Sequence, residues 1–203
     1  NFLNSLASLF FIGSQVPVAN IQRSKEMITL RCKGCPVSRI IGKRLFWGRE
    51  FIVTKDVLDP RRDTEALIAL SLQSPARRIL DLGTGTGAIG ITLATEWSDA
   101  TLIASDLSDM ALKVAERNAK QLGVYERCQF IKSDWFSAIE GAFDLIVSNP
   151  PYVSLTEWDC LASEVKNYDP LLALNGGMDG LDAYRLIIPK LKKLLEKSGK
   201  IFL

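Results

Sequence analysis

The chain has 203 residues, with 25 Lys and Arg against 23 Asp and Glu, 47% apolar residues, four cysteines and no histidine. This is the make-up of a globular domain, and it excludes a disulfide-stapled miniprotein or a disordered chain. Without histidine there is no Ser-His-Asp or Cys-His hydrolase, no His-ligated zinc and no histidine general base.

The stretch 1–13 is apolar but has no basic flank and is too short to span a bilayer; beginning at Asn, it reads as the end of a longer helix. Residues 21–62 hold eleven Lys and Arg against four acids, a +7 segment ahead of a −5 remainder. A flank of that sign can steer an acidic protein or a nucleic acid. Cys32-Lys-Gly-Cys35 has the spacing of half a zinc knuckle, but Cys128 and Cys160 do not form a second pair, so no metal is expected. Cysteine usage points to a reducing compartment, and the expected location is cytoplasmic.

From Arg39 to Thr54 the pattern predicts two short strands around a turn at Gly48. Asp59-Pro60-Arg61-Arg62-Asp63-Thr64-Glu65 then announces a helix running to about Gln73. Beyond Ser74 strands and helices alternate. Strands are expected over 78–82, 101–105, 127–131, 143–147 and 200–203. Helices are expected over 87–97, over 108–122 between a Ser108 cap and Gly123, and over 181–197 with a kink at Pro189. This alternation predicts an α/β fold with a doubly wound, mostly parallel, Rossmann-like sheet and right-handed crossovers, its ligands held at the carboxyl ends of the strands. The expected division is an N-terminal remnant and linker over 1–38, a hairpin and connecting helix over 39–74, and the ligand-binding domain over 75–203.

Asp81-Leu-Gly83-Thr84-Gly85-Thr86-Gly87-Ala-Ile-Gly90 stands where a strand turns into a helix, so its backbone can approach a ligand closely and the helix offers free N–H groups. Gly85-x-Gly87-x-x-Gly90 also satisfies the dinucleotide pattern, with Asp106 placed 21 residues on as a ribose-binding acid, so a nicotinamide cofactor is one reading. Asp81, two residues before the first glycine, suits instead a cationic ligand such as S-adenosylmethionine. Asp134 and Trp135 follow the third strand of this run, where an acid and a flat ring can hydrogen-bond and stack an adenine.

Ser148-Asn149-Pro150-Pro151-Tyr152 follows the apolar strand over 143–147. The prolines stiffen the turn and fix the direction of the Asn149 side chain and the Pro150 carbonyl. Two rigid acceptors can take both hydrogens of a planar NH₂ group while Tyr152 covers its face. Such a nitrogen is a poor nucleophile because its lone pair is delocalised, and orienting it toward a methyl donor activates it without a titrating base. The turn reports the target group, an amide or an exocyclic amine such as adenine N6, rather than the macromolecule that carries it.

Pro36-Val-Ser-Arg-Ile-Ile-Gly42, Phe46-Trp47-Gly48, the 59–65 and 81–87 motifs, the 149–152 turn and Asn175-Gly-Gly-Met-Asp-Gly-Leu181 together resemble the protein-(glutamine-N5) methyltransferases that modify peptide chain release factors, the HemK/PrmC family. The resemblance runs from about Pro36 to Leu203. It implies a class I methyltransferase fold and, as substrate, the glutamine of the release factor Gly-Gly-Gln loop. It places S-adenosylmethionine against Gly83, Thr84, Gly85, Thr86 and Gly87, with Asp106, Trp135 and Asn149. The substrate amide meets Asn149, Pro150, Pro151 and Tyr152. Against that family the chain is shortened at both ends, with only the last part of an N-terminal helical domain and no strands after 201–203. The alternatives are an adenine-N6 methyltransferase of nucleic acid, a ribosomal-protein glutamine methyltransferase, and a non-catalytic remnant that keeps cofactor or partner binding. A nicotinamide dehydrogenase leaves the Asn-Pro-Pro-Tyr turn without a role.

Overall fold

A computed structural model describes residues 18–203. Helix α1 (Val18–Cys32) and the short α2 (Val37–Ile41) lead into an antiparallel hairpin of β1 (Lys43–Phe46) and β2 (Arg49–Ile52). The stretch 1–13 lies outside the described residues. The expected strand residues Ile40 and Ile41 belong instead to α2, because Pro36 opens a helical turn and Gly42, left-handed at φ 74°, closes it. Trp47 and Gly48 both have positive φ, 48° and 70°, the two-residue turn whose twist matches that of the flanking strands. Phe46 and Phe51, fully buried, pack edge to face at 6.0 Å and seat the hairpin on the core.

After α3 (Thr64–Ser71) come β3 (Arg78–Leu82), α4 (Ala88–Glu96), β4 (Thr101–Asp106), α5 (Asp109–Gln121), β5 (Cys128–Lys132) and β6 (Phe143–Ser148). Two short helices, α6 (Leu155–Trp158) and α7 (Ser163–Tyr168), precede α8 (Asp182–Ile187) and β7 (Leu195–Phe202). The five strands β3 to β7 form one parallel sheet in the order β5-β4-β3-β6-β7. The central strands are buried on both faces, so their apolar residues run nearly unbroken: Ile79 enters one core, with Leu102, Leu145 and Val147, while Leu80 and Leu82 enter the other, with Phe136, Ile146 and Ile187.

The helix expected over 181–197 is corrected by the structure. It ends at Ile187, a 3₁₀ turn carries Ile188–Lys193, and Leu195 already pairs with Phe143 on β6. Pro189 has no N–H to continue an α-helical ladder, and open positions on β6 compete for the residues that follow.

Among the described residues no helix is long and apolar enough to cross a membrane, and no group of three or more His, Cys, Asp or Glu is placed to hold a metal ion. Five of the eleven basic residues of the 21–62 segment pair with acids of the chain itself: Arg31 with Glu164, Arg39 with Asp59 and Asp169, Lys43 with Glu50, Arg49 with Glu96, and Arg61 with Asp169. Glu50 and Asp59 are already counted in the +7, so the acids from elsewhere, Glu96, Glu164 and Asp169, offset three of the seven excess charges.

Candidate active site

Strand order reverses between β3 and β6, so the loops leaving these neighbours diverge and open a cavity of about 520 Å³ at their carboxyl ends. The β3 loop reaches it because Gly83, Gly85 and Gly87 all adopt left-handed φ, 66°, 56° and 80°, which side chains rarely tolerate. Gly83 to Thr86 line the cavity, while Gly87 lies behind them as the N-cap of α4. The loop is tied to β4 by Thr84 N–H to the Ser105 carbonyl at 2.9 Å and Gly85 N–H to Asp106 Oδ2 at 2.9 Å. It is tied to α5 from behind. Asn118, completely buried, donates from Nδ2 to the Thr86 carbonyl at 2.8 Å and to the Ile52 carbonyl at 3.1 Å, and its Oδ1 accepts from Ile52 N–H at 2.7 Å.

Asp81 sits beneath this loop and not in the cavity wall, because alternation along β3 turns it away from Leu80 and Leu82 toward α4. Its Oδ2 accepts from Thr84 Oγ1 at 2.7 Å and Gly90 N–H at 3.0 Å, and its Oδ1 is buried with no hydrogen-bond partner. A Cβ on Gly90 would come within 2.9 Å of Asp81 Oδ2 and 2.7 Å of Leu102 Cδ1, so α4 packs as closely as a glycine permits. Burial pushes the Asp81 carboxyl up to about 7, against hydrogen bonds from Thr84 and Gly90 that pull it down. Between the ordinary carboxylate range and pH 7 the folded chain thus holds a proton that the unfolded chain has lost, and stability falls as pH rises through that window. From pH 5 to 7 the wild type is expected to lose about 2–3 kcal/mol relative to Asp81→Asn, read from the difference between their denaturation midpoints. A constant difference across that range would show that Asp81 ionises normally.

Asp106 ends β4 half-buried, with Oδ2 on Gly85 N–H and Oδ1 on Ser108 N–H at 2.9 Å, so it braces the glycine loop and the start of α5 together. Burial raises its carboxyl above the usual range. Asp134 and Trp135 also line the cavity. Trp135 holds a left-handed φ of 50°, strained for a bulky residue and held by Ser133 Oγ donating to its carbonyl at 2.8 Å. Its ring lies 4.0 Å from where a Cβ on Gly83 would stand.

The β6 loop supplies Asn149 and Pro151 to the wall. Asn149 Nδ2 donates to Thr64 Oγ1 at 3.4 Å, which leaves its Oδ1 to accept. Pro150 is buried and Tyr152 is 58% exposed, and neither residue is part of the wall. The Tyr152 backbone is clasped by the loop after Asn175: a Cβ on Gly176 would meet Tyr152 Cα at 2.8 Å, and one on Gly180 would collide with the Tyr152 carbonyl. Val153 N–H donates to the Leu174 carbonyl and Gly176 N–H to the Val153 carbonyl, both at 2.9 Å.

Of the sequence-predicted residues, then, Gly83, Thr84, Gly85, Thr86, Asp106, Asp134, Trp135, Asn149 and Pro151 meet at one cavity, and Asp81, Gly87, Pro150 and Tyr152 stand behind or beside it. Sequence reasoning missed Thr64, Asn118 and the Lys55–Arg61 part of the wall. Asn118 carried a signal: it is a polar residue on the apolar stripe of α5, in line with Ala111, Val114 and Ala115. The wall bears five acids, Asp56, Asp59, Asp106, Asp134 and Asp182, against Lys55 and Arg61, a balance that favours a cationic ligand over a pyrophosphate.

The methyltransferase small domain family matches residues 52–165. A release factor glutamine methyltransferase of Cereibacter sphaeroides is 47% identical over 188 residues, 93% of this chain and 68% of that protein. One from Agrobacterium fabrum is 45% identical over 203 residues, covering 95% and 70%. The hMettl16 catalytic domain, solved in complex with the MAT2A 3′UTR hairpin 6, superposes with a TM-score of 0.57 over 82% of this chain and 74% of its own, at 15% identity, a likeness of fold alone.

Proposed function

The chain belongs to the release factor glutamine methyltransferases, within the methyltransferase small domain family, and on that premise we propose that it methylates a glutamine side-chain nitrogen in a peptide chain release factor. The cofactor is S-adenosylmethionine, which supplies an electrophilic methyl group on a sulfonium sulfur when bound. Two observations fit it. The wall is acidic, and the glycine loop forms a cradle that side chains would fill. Gly83 to Thr86, Asp106, Asp134 and Trp135 would hold it, with Asp81 and Gly87 supporting from behind.

The observation that carries the reading is Asn149 at the cavity wall with its amide hydrogens turned to Thr64. Its Oδ1 and the Pro150 carbonyl accept the two N–H groups of the glutamine amide and orient its nitrogen. Pro150 and Pro151 keep both oxygens from turning away, and Tyr152 packs beside the amide. Once the nitrogen is methylated its surplus proton is strongly acidic and passes to water, so no side chain has to titrate, consistent with a chain that has no histidine. Under this reading the protein works in the cytoplasm, and the exposed Arg23, Lys25, Lys33 and Arg62 of the basic segment are available to an acidic face of the partner.

The test is methyl transfer from labelled cofactor to three substrates in parallel: release factor, the same factor with its Gly-Gly-Gln glutamine substituted, and duplex DNA. Label on the unsubstituted factor alone is the expected result. Label on DNA would transfer the assignment to adenine, and label on the substituted factor would move the target to another residue.

A further inference from the structure

Behind the acceptor turn lies a cluster of four charged side chains. Arg39, Asp59 and Asp169 have only 6%, 8% and 5% of their side chains exposed and Arg61 40%, and both Asp59 and Arg61 also line the cavity. Arg39 Nη2 reaches Asp169 Oδ1 at 2.8 Å, Asp59 Oδ1 at 3.3 Å and the Val57 carbonyl at 2.5 Å, and Arg61 Nη2 reaches Asp169 Oδ2 at 2.6 Å. Ser38 Oγ donates to Asp59 Oδ2. Two positive and two negative groups leave the cluster neutral.

Its place matters more than its charge. Arg61 belongs to the segment whose Thr64 holds Asn149, on one side of the acceptor turn. Asp169 opens the segment whose Leu174 and Gly176 bond Val153, on the other side. The pair therefore closes a ring, Asn149 to Thr64, Arg61 to Asp169, Leu174 to Val153, around the position where the amide would lie. Buried ion pairs stabilise a fold little compared with apolar packing, but a guanidinium between two carboxylates fixes distance and angle as apolar side chains do not.

We infer that Asp169, gripped by Arg39 and Arg61, is a positioning residue for methyl transfer, holding the two segments at the separation that aims Asn149 and Pro150 without itself touching the reacting atoms. The inference rests on the proposed function for its kinetic readout but not for its structural one. In Asp169→Asn, close in shape to the native side chain, turnover on release factor should fall about 10- to 100-fold while cofactor affinity stays within about twofold. Hydrogen exchange at the Val153 and Gly176 amides should quicken at least about tenfold, with Leu80 in β3 unchanged. Arg39→Lys, which keeps the charge but loses the Nη2 shared among Asp169, Asp59 and the Val57 carbonyl, should show the same pattern more weakly.

Turnover within about twofold of wild type in a folded Asp169→Asn protein would overturn the inference, and so would equal losses of turnover and cofactor affinity. Should that variant not fold, Arg61→Gln, altering the more exposed partner, carries the test: a fall of about fivefold or more in turnover supports the ring, and an unchanged rate overturns it. If the wild type methylates no substrate, the functional reading fails by itself. The exchange rates at Val153 and Gly176 then decide, faster in Asp169→Asn for the ring, unchanged against it.

Discussion

Replacing Asn149 with alanine is expected to lower methyl transfer by at least about a hundredfold while the protein still takes up its cofactor, because a single preorganised polar group aimed at a reacting centre contributes that much in other enzymes. The structure favours a clean separation of the two effects. Asn149 makes one hydrogen bond to its surroundings, to Thr64 at 3.4 Å, so truncation leaves no buried network behind it. Its neighbours Pro150 and Pro151 keep the turn's path without it. The glycine loop and Asp106 are anchored to β4 and α5, elements that do not depend on the turn. Calorimetric titration with cofactor and a single-turnover transfer assay on the same preparation would check this. Turnover near that of the wild type would refute the role given to the side chain.

The second large effect is expected from Asn118→Ala, far from the reacting atoms. The change strands three backbone groups, Ile52 N–H, the Ile52 carbonyl and the Thr86 carbonyl, which Asn118 now satisfies. Losing buried partners of this kind costs about 1–3 kcal/mol each before relaxation, and about 2–4 kcal/mol in all is a reasonable sum once water reaches the half-buried hairpin edge. The melting midpoint should drop by roughly 6–12 °C for a chain of this length. Because one of the three bonds holds Thr86 in the glycine loop, cofactor affinity should fall as well, by about tenfold. A midpoint shifted by less than about 2 °C would show that the clamp adds little.

What the sequence made legible depended on local chemistry. The alternation of strands and helices between Arg78 and Ser148 was readable because the central strands β3 and β6 are largely buried and α5 is closed by its own signals, Ser108 accepting from Ala111 N–H at its start and Gly123 turning left-handed after its end. The glycine loop and the Asn-Pro-Pro-Tyr turn were readable because their backbone demands restrict which residues can stand there. Helix α1 was not, since the face it turns outward is long and its apolar positions Ile21, Ile28 and Leu30 remain exposed. Helix α2 and the end of α8 were missed where a short apolar run suits either state and neighbouring strands or glycines decide. Asp169 and Arg39, 130 positions apart, gave no sign of each other, because no spacing rule links side chains brought together only by the fold.

The clamp of Asn118 across β2 and Thr86 also bears on how far the molecule can be pared down. Cutting the polypeptide just ahead of β3 would remove Ile52 and bare the aromatic seat of Phe46 and Phe51, depriving the glycine loop of the buttress behind it. The hairpin, although it precedes every strand of the main sheet, is thus an integral brace of the catalytic half, and a minimal engineered version has to begin upstream of Lys43.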